Sequence, residues 1–158
     1  MHVVKITLRI YSVFLALLCC LSCSKIEEAG PKVKAPLRSY TITSRLDNKQ
    51  AGTDSQATGV LKGTYSEVTK LLVYSLEFSV PEPLSVRIDK GAKGAVGVWV
   101  SEFAKNAGHA YKSPITGQKK LTSLEERDLL KGIWYISVET SNYKPSEIRG
   151  MVTVKLSK

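Results

Sequence analysis

Residues 71–79 read LLVYSLEFS, and this alternation constrains the chain more than any other feature it carries. Side chains on a β-strand alternate between two faces, whereas those on a helix repeat every 3.6 residues. Leu72, Tyr74, Leu76 and Phe78 therefore share one face of a strand, and Ser75, Glu77 and Ser79 the other; Pro81 and Pro83 stop it. The same period recurs along the chain. In 38–46, Tyr40 and Ile42 oppose Thr41 and Thr43. In 84–89, Leu84, Val86 and Ile88 point inward while Ser85, Arg87 and Asp89 point outward. Near the end, Trp134, Ile136 and Val138 alternate with Tyr135, Ser137 and Glu139, and a last strand carries Ile148, Val152, Val154 and Leu156. Gly150 interrupts that final pattern, so a bulge is expected there.

The segment 57–65, with glycines at 59 and 63, reads as an edge or bulged strand. Residues 90–97 (KGAKGAVG) form a glycine-rich turn into a strand over 96–100. A glycine loop cradles phosphate when a helix N-terminus follows it, and here a strand follows. The stretch 104–118 lacks periodicity and reads as a loop. One helix is predicted from Thr122, where T-S-L-E makes a capping box, with Leu124, Leu129 and Leu130 as its apolar contacts and Gly132 as its stop. Its carboxylates Glu125, Glu126 and Asp128 are assigned to the cap and a solvated face. Seven to eight short strands with one short helix imply an all-β fold, a Greek-key or immunoglobulin-like β-sandwich, over residues 37–158.

The N-terminus reads differently. Residues 1–9 carry Lys5 and Arg9 and no acid, and 10–21 (IYSVFLALLCCL) are continuously apolar. That run is too short for a membrane-spanning helix, which takes about 20 residues, so 1–22 is read as a secretory signal peptide. All three cysteines, Cys19, Cys20 and Cys23, lie at its end. Ser22 supplies the small residue that signal peptidase II needs before the cysteine it acylates, which makes Cys23 the lipidation site. Residues 23–36, broken by Pro31 and Pro36, form an acylated tether whose last 13 residues span roughly 40 Å when extended. Its pair Glu27–Glu28 resembles the export signal of surface lipoproteins of Bacteroidota. The expected location is the outer membrane, on the periplasmic or the cell-surface face.

Removing residues 1–22 leaves 21 basic and 14 acidic residues. The lysines are spread along the chain and no nucleic-acid-binding pattern accompanies them, so nucleic acid is not an expected partner. Catalytic constellations are equally scarce. His109 is the one histidine beyond the leader and has no nucleophile–acid partners in a motif. Glu139 and Glu147 are the carboxylates a glycosidase reading would use, and nothing in the sequence sets them across a cleft. His109, Tyr111 and Lys112, in the aperiodic 104–118 stretch, make a candidate binding loop for an envelope protein or a glycan.

Residues 132–152 (GIWYISVETSNYKPSEIRGMV) resemble the signature of the CHRD (chordin-type) domain family, typically GxWYVNVHT, a Tyr-Pro-Gly-Gly turn and EIRGQ. Leu124–Gly132 is similar to the family's short helix ending in Leu-Leu-x-Gly, and 71–79 to its Tyr-x-Leu strand. The resemblance implies a β-sandwich related in outline to copper-zinc superoxide dismutases. It also locates departures. Where members usually carry His-x-His this chain has Arg87-Ile88-Asp89, and Glu139 replaces another histidine. Alternating imidazoles on adjacent strands are how such a sandwich holds copper or zinc. The resemblance thus makes Arg87, Asp89 and Glu139 a candidate charge cluster, with Arg87 pairing one or both carboxylates in place of the histidines. No cofactor and no enzymatic activity are expected. A bacterial, lipid-anchored binding or scaffolding module is the expected function, with a metal-binding, dismutase-like protein as the disfavoured alternative and a surface glycan- or protein-interaction module as another.

Overall fold

A computed structural model describes residues 38–105 and 110–157. Cys23, the tether and His109 lie outside these residues. Eight antiparallel strands make up the fold: β1 (Ser39–Leu46), β2 (Gly59–Ser66), β3 (Leu71–Phe78), β4 (Ser85–Lys90), β5 (Val98–Glu102), β6 (Ile115–Lys120), β7 (Trp134–Glu139) and β8 (Ile148–Leu156). A short helix, α1 (Asn48–Ala51), follows β1, and a longer one, α2 (Ser123–Leu130), precedes β7. The strands form one curled sheet in the order β5-β4-β7-β8-β1-β2-β3-β6.

The expected all-β sandwich therefore takes the form of a single sheet folded over on itself, and β8 is the fold line. Its first residues, Ile148–Met151, pair with β7; its later ones, from Val152, pair with β1. Gly150 sits at the changeover without a bulge, since it opposes Ile136 in regular register. It is glycine because a Cβ there would lie 2.1 Å from the Arg45 carbonyl oxygen and 2.7 Å from Ser44 Oγ. The register shift lies instead between Ile88 and Asp89, in the β4–β5 pair.

The alternation in β3 delivers Leu72, Leu76 and Phe78 to the core, where they join Ile42 and Leu61 from one half and Val86, Ile88, Trp134, Ile136 and Val138 from the other. Each aliphatic or aromatic side chain so buried contributes about 1.5–3 kcal/mol. Tyr74 meets Phe103 edge to face at 5.0 Å, tying β3 to the chain just after β5. Leu84 departs from its inward assignment and is 53% exposed, because it precedes β4 at the rim.

Two elements were missed by periodicity. Strand β6 begins inside the stretch 104–118 read as a loop and runs two residues beyond it; its sequence ITGQKK buries Ile115 alone, as an edge strand pairing on one side with β3. Helix α1 is one turn, capped by the Asp47 side chain accepting from Gln50 N–H. Helix α2 has its capping box, and Gly132 follows it at φ +68, where a side chain would be strained. Its other expectations need correction. Leu129 is fully buried, but Leu124 and Leu130 are exposed. Asp128 is buried rather than solvated, since Lys90 Nζ at 2.8 Å and Arg127 at 3.0 Å supply the charge that lets a carboxylate leave water. Glu126 accepts from Tyr65 Oη at 2.6 Å and Lys70 Nζ at 2.7 Å, so the helix is fastened to β2, β4 and the β2–β3 turn by its acids.

Candidate functional site

Strands β4 and β7 pair so that Ser85 opposes Glu139, Arg87 opposes Ser137 and Asp89 opposes Tyr135. Strand parity therefore places Arg87, Asp89 and Glu139 on the same outward face of this half-sheet. Arg87 lies between the two carboxylates. Its Nε donates to both Asp89 oxygens, at 3.0 and 3.2 Å, and its Nη1 donates to Glu139 Oε2 at 2.5 Å. Nη1 also reaches Ser85 Oγ at 3.5 Å, and Nη2 donates to the Pro145 carbonyl at 2.6 Å. The last bond links the strand pair to the 140–147 connection.

Burial lowers the affinity of the Arg87 guanidinium for its proton, but hydrogen bonds and attraction from Glu139 and Asp89 outweigh it and hold its pKa above the ordinary arginine value. The triad is thus a charged, mutually satisfied unit. Asp89, 4% exposed, depends on it most, because an isolated buried carboxylate is costly.

A second arginine, which periodicity did not single out, completes this face. Arg149 opposes Ser137 on β8. Its guanidinium lies 4.6 Å from the centre of the Tyr135 ring, and its Nη1 donates to the Ala95 carbonyl at 3.0 Å. Tyr135 and Ser137, read from the sequence as outward, do face outward yet are only 2% and 1% exposed. The glycine-rich turn and the 140–147 connection close over them, drawn in by Arg149 and Arg87 respectively. Parity held the clue, since a charged residue between Ile148 and Gly150 must project from the face opposite the core.

Glu147 is buried beside this region. Ser55 Oγ and Thr140 Oγ1 donate to its two carboxylate oxygens at 2.7 and 2.8 Å, and Thr53 Oγ1 donates to its carbonyl. Glu139 is thus engaged by Arg87, and Glu147 by two hydroxyls.

The residues at the three positions do not suit a copper or zinc centre. Neither imidazole nor thiolate is among them, and both carboxylates already neutralise a guanidinium that would repel an incoming cation. Among the described residues, no group of three or more His, Cys, Asp and Glu side chains converges.

Of the candidate binding loop, Tyr111 and Lys112 are among the described residues. Tyr111 turns inward and is 4% exposed; its hydroxyl donates to Glu102 and Lys105 Nζ lies 5.2 Å from its ring centre. Burial, with the Glu102 hydrogen bond adding to it, raises the Tyr111 pKa. Tyr111 joins the core cluster, and Glu102 satisfies its hydroxyl there. Lys112 is exposed, and His109 falls outside the described residues. No described helix is long and apolar enough to cross a membrane.

A protein-family model, the CHRD domain, matches residues 42–152, from β1 to β8. No curated protein and no solved structure matches the chain.

Proposed function

The chain belongs to the CHRD domain family, and from that premise we propose that it is a non-catalytic binding or scaffolding module of a bacterial cell envelope, held by a lipid on Cys23. The observation that carries the non-catalytic part is Arg87. It occupies the position of a histidine in the family signature and binds both Asp89 and Glu139, so the residues that a dismutase-like reading would need are committed to one another. The anchor rests on the sequence alone: a basic start, a short apolar run and Ser22-Cys23 at its end. An outer-membrane location, and export to the surface through Glu27–Glu28, extend the same reading.

Two measurements test it. Calorimetric titration with copper and with zinc is expected to give no stoichiometric binding, and a tight one-to-one isotherm abolished by Asp89→Asn would restore the metal reading. Radiolabelled fatty acid is expected on the wild-type protein and not on Cys23→Ser. Label persisting on that variant, or missing from the wild type, removes the anchor.

A further inference from the structure

Outward side chains of the other half-sheet, β8-β1-β2-β3-β6, include four exposed cations, Arg45, Lys62, Lys120 and Lys155, and one carboxylate, Glu77. None of the four cations enters an ion pair among the described residues. Lys62 and Lys155 stand opposite short polar residues, whereas Arg45 stands opposite Val60 and Lys120 opposite Leu71. One row across five strands reads Thr153, Thr43, Lys62, Ser75 and Thr116, each opposite the next. The row beside it starts at Lys155 and crosses Thr41 and Thr64. With neighbouring strands about 4.8 Å apart, five of them make a surface roughly 19 Å wide.

Two shallow, open depressions mark this surface, one lined by Arg45 with Thr43 and Val60 and the other by Lys62 with Thr64 and Val73. Each contains one of the unpaired cations. The tyrosines and phenylalanine of β1, β2 and β3 all have inward parity, so no aromatic ring projects from the outer side.

We infer that this face binds a linear polyanionic polysaccharide, one bearing carboxylates on successive sugars, laid across the strands; the inference deepens the proposed binding role and rests on it. Unpaired cations attract the carboxylates, and closely spaced threonine hydroxyls exchange hydrogen bonds with sugar hydroxyls. A neutral glycan would ordinarily be gripped by exposed rings, and single-stranded nucleic acid by rings that stack its bases. The face offers neither. Attraction of this kind is screened by salt, over about 10 Å at 0.1 M.

The test uses the full chain in neutral detergent, with immobilised polygalacturonate as the probe and neutral dextran and single-stranded DNA of matched charge as comparisons. Polygalacturonate is expected to capture the protein at low salt and release it as salt rises, with dextran inactive and DNA weaker. Lys62→Gln/Lys155→Gln is expected to lose about tenfold in affinity and to flatten the salt slope by about 2, one for each lysine removed. Lys93→Gln/Lys144→Gln, which removes two exposed lysines elsewhere, is expected to bind like the wild type. Equal losses in both variants, equal capture by DNA, or no capture by polygalacturonate would each overturn the inference. Metal titration and Cys23 labelling are independent of these outcomes, so failure of the surface is distinguishable from failure of the envelope-module reading.

Discussion

On the β5-β4-β7-β8 half of the folded sheet, the outward charges of Arg87, Asp89, Glu139 and Arg149 are paired or capped and lie beneath two connections. On the other half, Arg45, Lys62, Lys120 and Lys155 project with no ion-pair partner among the described residues. The same strand chemistry thus yields a structural face and an open one. The difference lies in what each arginine or lysine meets. A guanidinium forks, so Arg87 joins two strands and a loop at once, while Lys62 and Lys155, opposite threonine and serine, enter no ion pair among the described residues. Covering one face leaves the other as the surface on which recognition is most economically placed.

The largest expected effect comes from breaking the covered face. Arg87→Met leaves Asp89 buried beside Glu139 without its cation, which is expected to cost about 3–5 kcal/mol in urea unfolding. The double variant Arg87→Met/Asp89→Leu is expected to recover much of that loss, because the buried Asp89 carboxylate is then gone and only the less buried Glu139 is left without its partner. A loss under about 1 kcal/mol for the single variant would mean that the triad is solvated in practice and the contrast between the faces is false.

Next in size is the seam between the halves. Gly150→Ala sets a methyl group 2.1 Å from the Arg45 carbonyl oxygen, a backbone atom that cannot swing aside. The expected cost is about 1–3 kcal/mol. Unchanged stability would show that β8 and β1 separate easily there, so that the two faces belong to mobile halves rather than to one curled sheet.

Much of this architecture was legible because alternation, capping and proline stops are local. LLVYSLEFS delivers its apolar set to the core, and Thr122 with Glu125 closes the capping box as read. What failed depended on partners distant in sequence. Strand β6 has almost no apolar signal, as it needs only Ile115 and a β3 neighbour. Tyr111 reads as a loop contact until Glu102 and the core claim it. Burial of Ser137 and Tyr135 could not be read from β7, since the loops that cover them are held by Arg87 and Arg149 on other strands. The Arg87–Asp89–Glu139 grouping was legible through comparison with a signature, whereas the open cationic face required the register of five strands.

A smaller effect separates paired from unpaired charges by pH. Burial pushes the Glu126 carboxyl up, but Lys70 and Tyr65 outweigh it and hold its pKa below the ordinary 4.5. Asp128 is held low chiefly by Lys90, with burial opposing and Arg127 assisting. A carboxylate depressed in the folded state stabilises it fully above its unfolded pKa, and that contribution fades as pH falls through the folded value. The urea midpoint is therefore expected to be flat near neutrality and to fall below about pH 4.5, and Lys70→Met should lower the plateau and make the acid slope shallower. An unchanged slope would remove Glu126 from the acid-sensitive carboxylates and leave Asp128 to carry the effect.

The smallest expected effect is the sharpest discriminator. If the open face is built for a ligand rather than for the fold, Lys62→Gln and Lys155→Gln should change unfolding free energy by less than about 0.5 kcal/mol each, and their sum should be additive. Opposite Lys62 are Thr43 and Ser75, and opposite Lys155 is Thr41, so neither removal strands a buried charge. Removing one cation from a crowd of like charges even relieves a little repulsion. Destabilisation of a kilocalorie or more would mean that these lysines cover apolar surface with their stems, which would make them part of the scaffold. Stability unchanged together with weakened polyuronate capture would instead assign the two faces of one sheet to separate tasks, one holding the fold and the other meeting the ligand.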